Sequence, residues 1–187
     1  MRALKDDTLY KTSGGEFKNG AGQWVFSGQT GGSLVRRGLY AFDVAGQVPA
    51  GVTITGASLT LNMSRSLAGD IDIGLHQVLT DWQEGVGQGS GNEGARISAV
   101  SGDVTWTDSI LGSQLWDEAG GDFTSDASAT AVVGEIGSYT WSSTSALVAD
   151  VQSWLDNPDS NFGWLVLGDE TGNRATKRFD SRKNESQ

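Results

Sequence analysis

Residues 57 to 64 read Ala-Ser-Leu-Thr-Leu-Asn-Met-Ser, with Ala57, Leu59, Leu61 and Met63 alternating against Ser58, Thr60, Asn62 and Ser64. A period of two puts every second side chain on the same face, so this segment must be a strand with one buried and one wet face. Ile71, Ile73 and Leu75 repeat the pattern. Two other segments, RRGLYAFDV (36–44) and FGWLVLG (162–168), are apolar on both parities, as expected of central strands covered on both sides. A sheet with these strands needs a second layer to cover it, which predicts an all-β antiparallel sandwich.

Composition supports this reading. Glycine is abundant at 27 residues against 2 prolines, and glycine supplies the backbone angles that tight turns between short strands require. One helix is predicted, in STSALVADVQSWLDNP: Leu147, Val151, Trp154 and Leu155 share a face, Ser143 to Ser145 offer a cap, and Asn157-Pro158 ends it. Residues 85 to 140 mix glycine- and acid-rich loops with short strand-like pieces (VTWTD, AVVGEI, SYTW). At 187 residues the chain suits one domain, 1–187, with a full core.

The absence of cysteine excludes disulfides, thiolate metal sites and a cysteine nucleophile. A net charge of -10 argues against general nucleic-acid binding, which needs a basic face to displace counterions. Yet Arg174, Lys177, Arg178, Arg182 and Lys183 lie close together, which leaves two readings open: charges that simply solvate an exposed strand and loop, as most charge runs do, or a local basic patch on which a polyanion can dock. No apolar run approaches the ~20 residues that span a bilayer, so no membrane insertion is expected, and MRALKDDTLY lacks the apolar core of a secretory signal.

The densest chemistry is HQVLTDWQEG (76–85), with the single histidine, Trp82, Asp81 and Glu84. If Ile71, Ile73 and Leu75 face the core, His76 shares the opposite face with Asp72 and Gly74, either on a shallow concave surface or in a second buried layer. No nucleophile motif accompanies His76, so a structural or ligand-contact role is expected and no enzyme activity. Glu84 at a strand end is expected to pair with a buried arginine such as Arg37. Asp6, Asp7, Asp122 and Asp126 are the oxygen donors calcium prefers and stand as candidates for a structural Ca2+, although no EF-hand spacing is present. Of the seven tryptophans, Trp154 and Trp164 are expected to be buried, while Trp24, Trp82, Trp106 and Trp116 border loops and are left open.

Taken in order, KDDTLY, NGAGQWVFSGQT, RRGLYAFDV, VPAGVTITGASLTLN, LHQVLTDWQEG, GDVTW, VADVQSWLDNPDSNFGWLVLGDE and KRFDSRKN resemble the extracellular DNRLRE-type domain over nearly the whole chain. The resemblance implies a jelly-roll-like sandwich from secreted and surface proteins, usually a non-catalytic module within a larger protein and in some members a carbohydrate-binding module for alginate-like acidic polysaccharides. With the loop-flanking aromatics and the C-terminal charges, this makes Trp24, His76, Trp82, Arg174, Lys177 and Arg178 the candidate carbohydrate contacts, while Arg37, Asp43, Glu84, Trp154 and Trp164 are expected to be structural. Relatives continue after F-D-S-R-x-N into a proline and a last strand, L-x-V-x-Y, whereas this sequence reads NESQ. An open sheet edge is therefore expected, and with it an alternative role: a subunit of a virion, surface layer or filament that adds a neighbour's strand. A polysaccharide lyase or hydrolase is the third and weakest reading.

Overall fold

The computed structural model describes residues 1–12, 16–90, 93 and 97–185. Its strands are β1 (Ala3–Tyr10), β2 (Phe17–Lys18), β3 (Trp24–Gln29), β4 (Val35–Phe42), β5 (Leu59–Ser66), β6 (Ile71–Gln77), β7 (Ile97–Ser98), β8 (Asp108–Ile110), β9 (Gln114–Leu115), β10 (Ala129–Val133), β11 (Gly137–Trp141), β12 (Trp164–Leu167) and β13 (Lys177–Asp180). Among the described residues the helical elements are α1 (Val44–Gln47), a single turn, α2 (Ser145–Asp156), of several turns, and a short 3-10 turn (Pro158–Ser160).

The large sheet is antiparallel and folds over on itself as a jelly-roll-like sandwich. One layer runs β10-β6-β12-β4 with β1 on the far edge of β4. The other runs β3-β13-β5-β11. They join through the end of β3, where Gly28 and Gln29 pair with Arg36 and Val35 of β4. Gly28 has φ +102°, and a Cβ there would stand 2.8 Å from the Ala175 carbonyl oxygen, so the corner requires glycine.

Between the layers Met63, Ile73, Leu75, Trp141, Val166 and Phe179 form a dry core. The alternation of residues 59 to 63 is reproduced as buried Leu59, Leu61 and Met63. Helix α2 closes one end with Leu147, Trp154 and Leu155 inward, and the Thr144 hydroxyl caps it by accepting from the Leu147 amide at 3.0 Å. Trp154 packs on Trp164 with ring centroids 4.5 Å apart, and the Trp164 indole donates to Asp150 at 2.7 Å. Both tryptophans are core, and Asp43 caps α1 by accepting from the Gly46 amide at 2.9 Å.

A second apolar cluster lies on the outer face of the first layer and explains why residues 36–44 and 162–168 are greasy on both parities. Tyr40, Phe42, Trp164 and Val166 face the inter-sheet core, while Leu39, Ala41 and Leu165 face outward against Trp82, Val104 and Trp116. The long segment between β6 and β10 folds over that face as a cover. Trp82 is 1% exposed and its indole donates to the Phe162 carbonyl at 2.9 Å; Trp116 is likewise buried and donates to the Thr105 carbonyl. Two of the four tryptophans left open by the sequence, Trp82 and Trp116, are core residues of this outer layer. Trp106 is half-buried beneath Arg37, 4.8 Å from its ring centre.

Candidate functional site

The outer face of the second layer carries a groove of about 480 Å³ that includes Phe26, Arg36, Arg65, Arg174, Thr176 and Arg178 among its walls. Strand pairing builds its centre. In β13, Arg178 stands opposite Phe26 of β3 on one side and opposite Arg65 of β5 on the other. Directly opposed residues in a sheet hold their Cβ atoms about 5 Å apart, so Phe26, Arg178 and Arg65 form one row across three strands. Trp24, two residues before Phe26, lies against Arg178, whose guanidinium carbon is 4.0 Å from the ring centre.

Arg65 reaches this face through a β-bulge. Met63 pairs with Phe179 and both are buried, but the next pair is Arg65 with Arg178, so β5 spends one extra residue, Ser64, within a single step of β13. A bulge re-aims the side chains beyond it. Strict alternation would have sent Arg65 inward with Met63; the bulge turns it to the exterior, where it is exposed.

The four arginines divide into two kinds. Arg36 and Arg178 are fixed in the wall. Arg36 is 5% exposed, lies 4.5 Å from the Tyr10 ring centre and donates to the Val35 carbonyl at 2.8 Å. Arg178 donates through Nε to the Ser64 hydroxyl at 3.1 Å. Arg65 and Arg174 are exposed and make no ion pair or hydrogen bond among the described residues. Among the described residues no carboxylate lines the groove. Burial, and next the facing Arg65, hold the Arg178 guanidinium below its ordinary range; Asp180 and Glu93 oppose this from behind. Glu93 is buried, and its carboxylate accepts from the backbone amides of Gln23 and Trp24 and the side chains of Asn19 and Gln88. It serves as the anchor of Trp24, not as a counter-ion on the groove surface.

Arg174 is one of three non-glycine residues with positive φ among the described residues, at +59°. Its stem lies over Gly31, where a Cβ would stand 3.1 Å from Arg174 Cγ. A left-handed conformation costs a side-chain-bearing residue roughly 1 kcal/mol or more. Arg174→Gly is therefore expected to leave stability unchanged or raise it by up to about 1 kcal/mol while weakening retention by an anionic polymer. Thermal melting and affinity electrophoresis read the two effects separately.

The structure distributes the sequence candidates unevenly. Trp24, Arg174 and Arg178 come together at the groove. Lys177, one residue from Arg178, points the other way: it is fully buried and its ammonium donates to the carbonyls of Ala68, Gly69 and Gly134. Trp82 and Lys177 therefore present no surface to a ligand. His76 is 7% exposed in the outer buried layer, edge-on to Phe123, with Nδ1 2.8 Å from the Thr124 carbonyl oxygen. Of the two placements open to His76, the second buried layer is the one observed.

The expected Glu84–Arg37 pair is not made. Arg37 holds Glu170 through Nε at 2.6 Å and Nη2 at 3.0 Å, whereas Glu84 binds Arg182 and Lys183 and accepts from the Asp6 amide. Three of the four acids considered for calcium hold backbone amides. Asp122 accepts from the Asp117 and Glu118 amides and the Thr80 hydroxyl; Asp6 accepts from the Arg182 amide; Asp7 accepts from the amides of Thr8, Asn19 and Gly85; Asp126 is exposed. Among the described residues no three His, Cys, Asp or Glu side chains gather as a metal cage. No helix among them is long and apolar enough to cross a membrane. Phe26, Arg36 and Arg65 were not singled out by sequence.

No family model matches the chain, and no curated protein matches it.

Proposed function

We propose that this chain is a non-catalytic extracellular module that binds acidic polysaccharide, with the arginine groove as its site. The observation that carries this reading is four guanidinium groups converging on one groove without a lining carboxylate among the described residues, in a chain with 13 basic and 23 acidic residues. Such a local inversion of charge attracts polyanions while the acidic remainder repels them elsewhere, which favours binding along one track. Phe26 and Trp24 add aromatic surface of the kind that packs against sugar rings. The order of sequence segments resembling DNRLRE-type domains supports the same reading. Alginate, pectate and sulfated polysaccharides should retard the protein in affinity gels and neutral glucans should not, with retardation weakening as salt screens the charges. Equal migration in all gels would overturn the proposal.

A second reading, a structural subunit that accepts a partner's strand, is favoured by a separate feature. A groove of about 560 Å³ opens between the two layers where β1 has β4 as its one strand partner among the described residues and β13 reaches β5 only from Met63 onward. Its walls include Tyr40, Phe42, Leu61 and Trp154, and the buried Trp154 indole N–H has no acceptor among the described residues. Sedimentation separates the readings: a monomer retarded by acidic gels supports the module, and concentration-dependent polymers without retardation support the subunit.

A further inference from the structure

We propose that Arg65 and Arg178 form a receptor for a single anionic group, a carboxylate or a sulfate ester, and that Arg65 decides whether a sugar is accepted. The inference rests on the polysaccharide reading for its biological ligand but is built from geometry of its own. Two arginines stand directly opposite one another on adjacent strands, an arrangement in which like charges destabilise a sheet. The Ser64 bulge, an irregularity in an otherwise regular strand, is what places Arg65 there.

The two side chains are held differently, and the difference defines their roles. Arg178 is oriented from below by Ser64 and along its flank by Trp24, which leaves its guanidinium as a fixed wall element. Arg65 is exposed and makes no hydrogen bond or ion pair among the described residues, so it can swing onto whatever settles against Arg178. Guanidinium groups match the planar oxygen pairs of carboxylates and the oxygens of sulfate through two parallel hydrogen bonds. An anion between them removes their mutual repulsion and gains hydrogen bonds to both. A neutral sugar leaves the repulsion in place. Phe26, opposite Arg178 on the other flank, supplies an apolar surface for the ring that carries the acid.

The test uses galacturonate, inorganic sulfate and galactose as probes, titrated into the full chain while the arginine Nε–Hε NMR signals are followed. Signals of both Arg65 and Arg178 should shift with galacturonate or sulfate and stay still with galactose. A response to one anion and not the other identifies which acidic group is read, and either supports the receptor. Arg65→Gln should weaken binding about tenfold, as loss of a charged hydrogen bond predicts. Arg2→Gln, an equal charge change at an exposed position away from this groove, should alter it less than twofold. Arg65→Gln disturbs no partner, so folding is not at issue. Without ligand at low salt it should melt at or above the wild-type temperature, whereas saturating sulfate should raise the wild-type melting point more than the variant's. Arg65→Gln binding like Arg2→Gln, or galactose shifting the signals as galacturonate does, overturns the receptor. Loss of polymer retardation with the small-anion response intact would instead remove the polysaccharide reading and leave the receptor standing.

Discussion

Trp82→Ala is expected to destabilise the fold by about 4 kcal/mol, the range for removing a buried tryptophan, and to do so without weakening binding in the arginine groove. Trp82 belongs to the outer apolar cluster with Leu9, Leu39, Leu165, Val104 and Trp116. Its truncation opens a cavity and removes the donor to the Phe162 carbonyl, which sits just before central strand β12. The Lys5 ammonium, 4.4 Å from the Trp82 ring centre, also loses that surface. Urea denaturation should show a lower midpoint, and hydrogen exchange should accelerate first in the cover segment between β6 and β10. The centre of the arginine groove, Phe26, Arg178 and Arg65, lies on the other layer, so affinity for acidic polymer measured well below the melting temperature should be preserved. Trp24→Ala should do the reverse, weakening binding through the loss of Arg178's stacking partner with a smaller cost in stability, because Trp24 is only half-buried. A Trp82 variant that keeps its stability and loses binding would return Trp82 to the ligand surface.

The contrast between Trp82 and Trp24 shows where sequence reasoning reached and where it stopped. Alternation at residues 57 to 64 and the double-sided apolarity of residues 36–44 and 162–168 fix strands and require a covered first layer, and both features are local. The cover itself comes from a glycine-rich excursion without regular period, so nothing in the letters around Trp82 distinguishes a tryptophan folded inward from one left at a rim. Glu84 is 98 residues from Arg182, and the sequence offers no means of choosing that partner over Arg37. Lys177 and Arg178 are adjacent basic residues of one strand and point to opposite faces; a charge patch counted along the chain merges what the pleat separates. Arg65 is the hardest case. Period-two logic, applied correctly, assigns it to the same face as Met63, and only the unequal residue count between β5 and β13 reverses the assignment. A bulge is a property of two strands in register, so one strand's sequence does not announce it.

Raising the pH from 5 to 8 is expected to destabilise this protein, the opposite of the response of a chain held by ionised surface carboxylates. Asp7 is 1% exposed, and burial, as the largest cause, raises its pKa to about 7 despite three backbone amides that favour the charged form. Asp6 is raised to about 6, again chiefly by burial, with the Arg182 amide opposing and the Glu84 charge adding to the rise. In the unfolded chain both carboxyls titrate near pH 4. Between about pH 4 and pH 7 the folded protein therefore holds protons that the unfolded chain has released, and stability falls as the pH rises through that window. The contribution is complete below pH 4, is lost through the folded pKa values, and is flat above about pH 7. A shift of about three units at Asp7 corresponds to roughly 4 kcal/mol, a large fraction of a typical domain's stability. Asp7→Asn should flatten much of this dependence. It retains an acceptor for two of the three amides but sets an NH2 group against the third, so its stability at pH 5 should fall below the wild type's and the two should converge by pH 8. Urea midpoints at half-unit pH intervals read the effect directly, and a wild-type midpoint that rises from pH 5 to 8 would show that Asp6 and Asp7 are ionised in the folded protein throughout. The same segment touches the C-terminal turn directly, Asp6 accepting from the Arg182 amide, and indirectly through Glu84, which accepts from the Asp6 amide and from Lys183. Loosening should thus begin where β1 meets residues 181 to 183, beside the apolar groove and away from the Arg65–Arg178 pair.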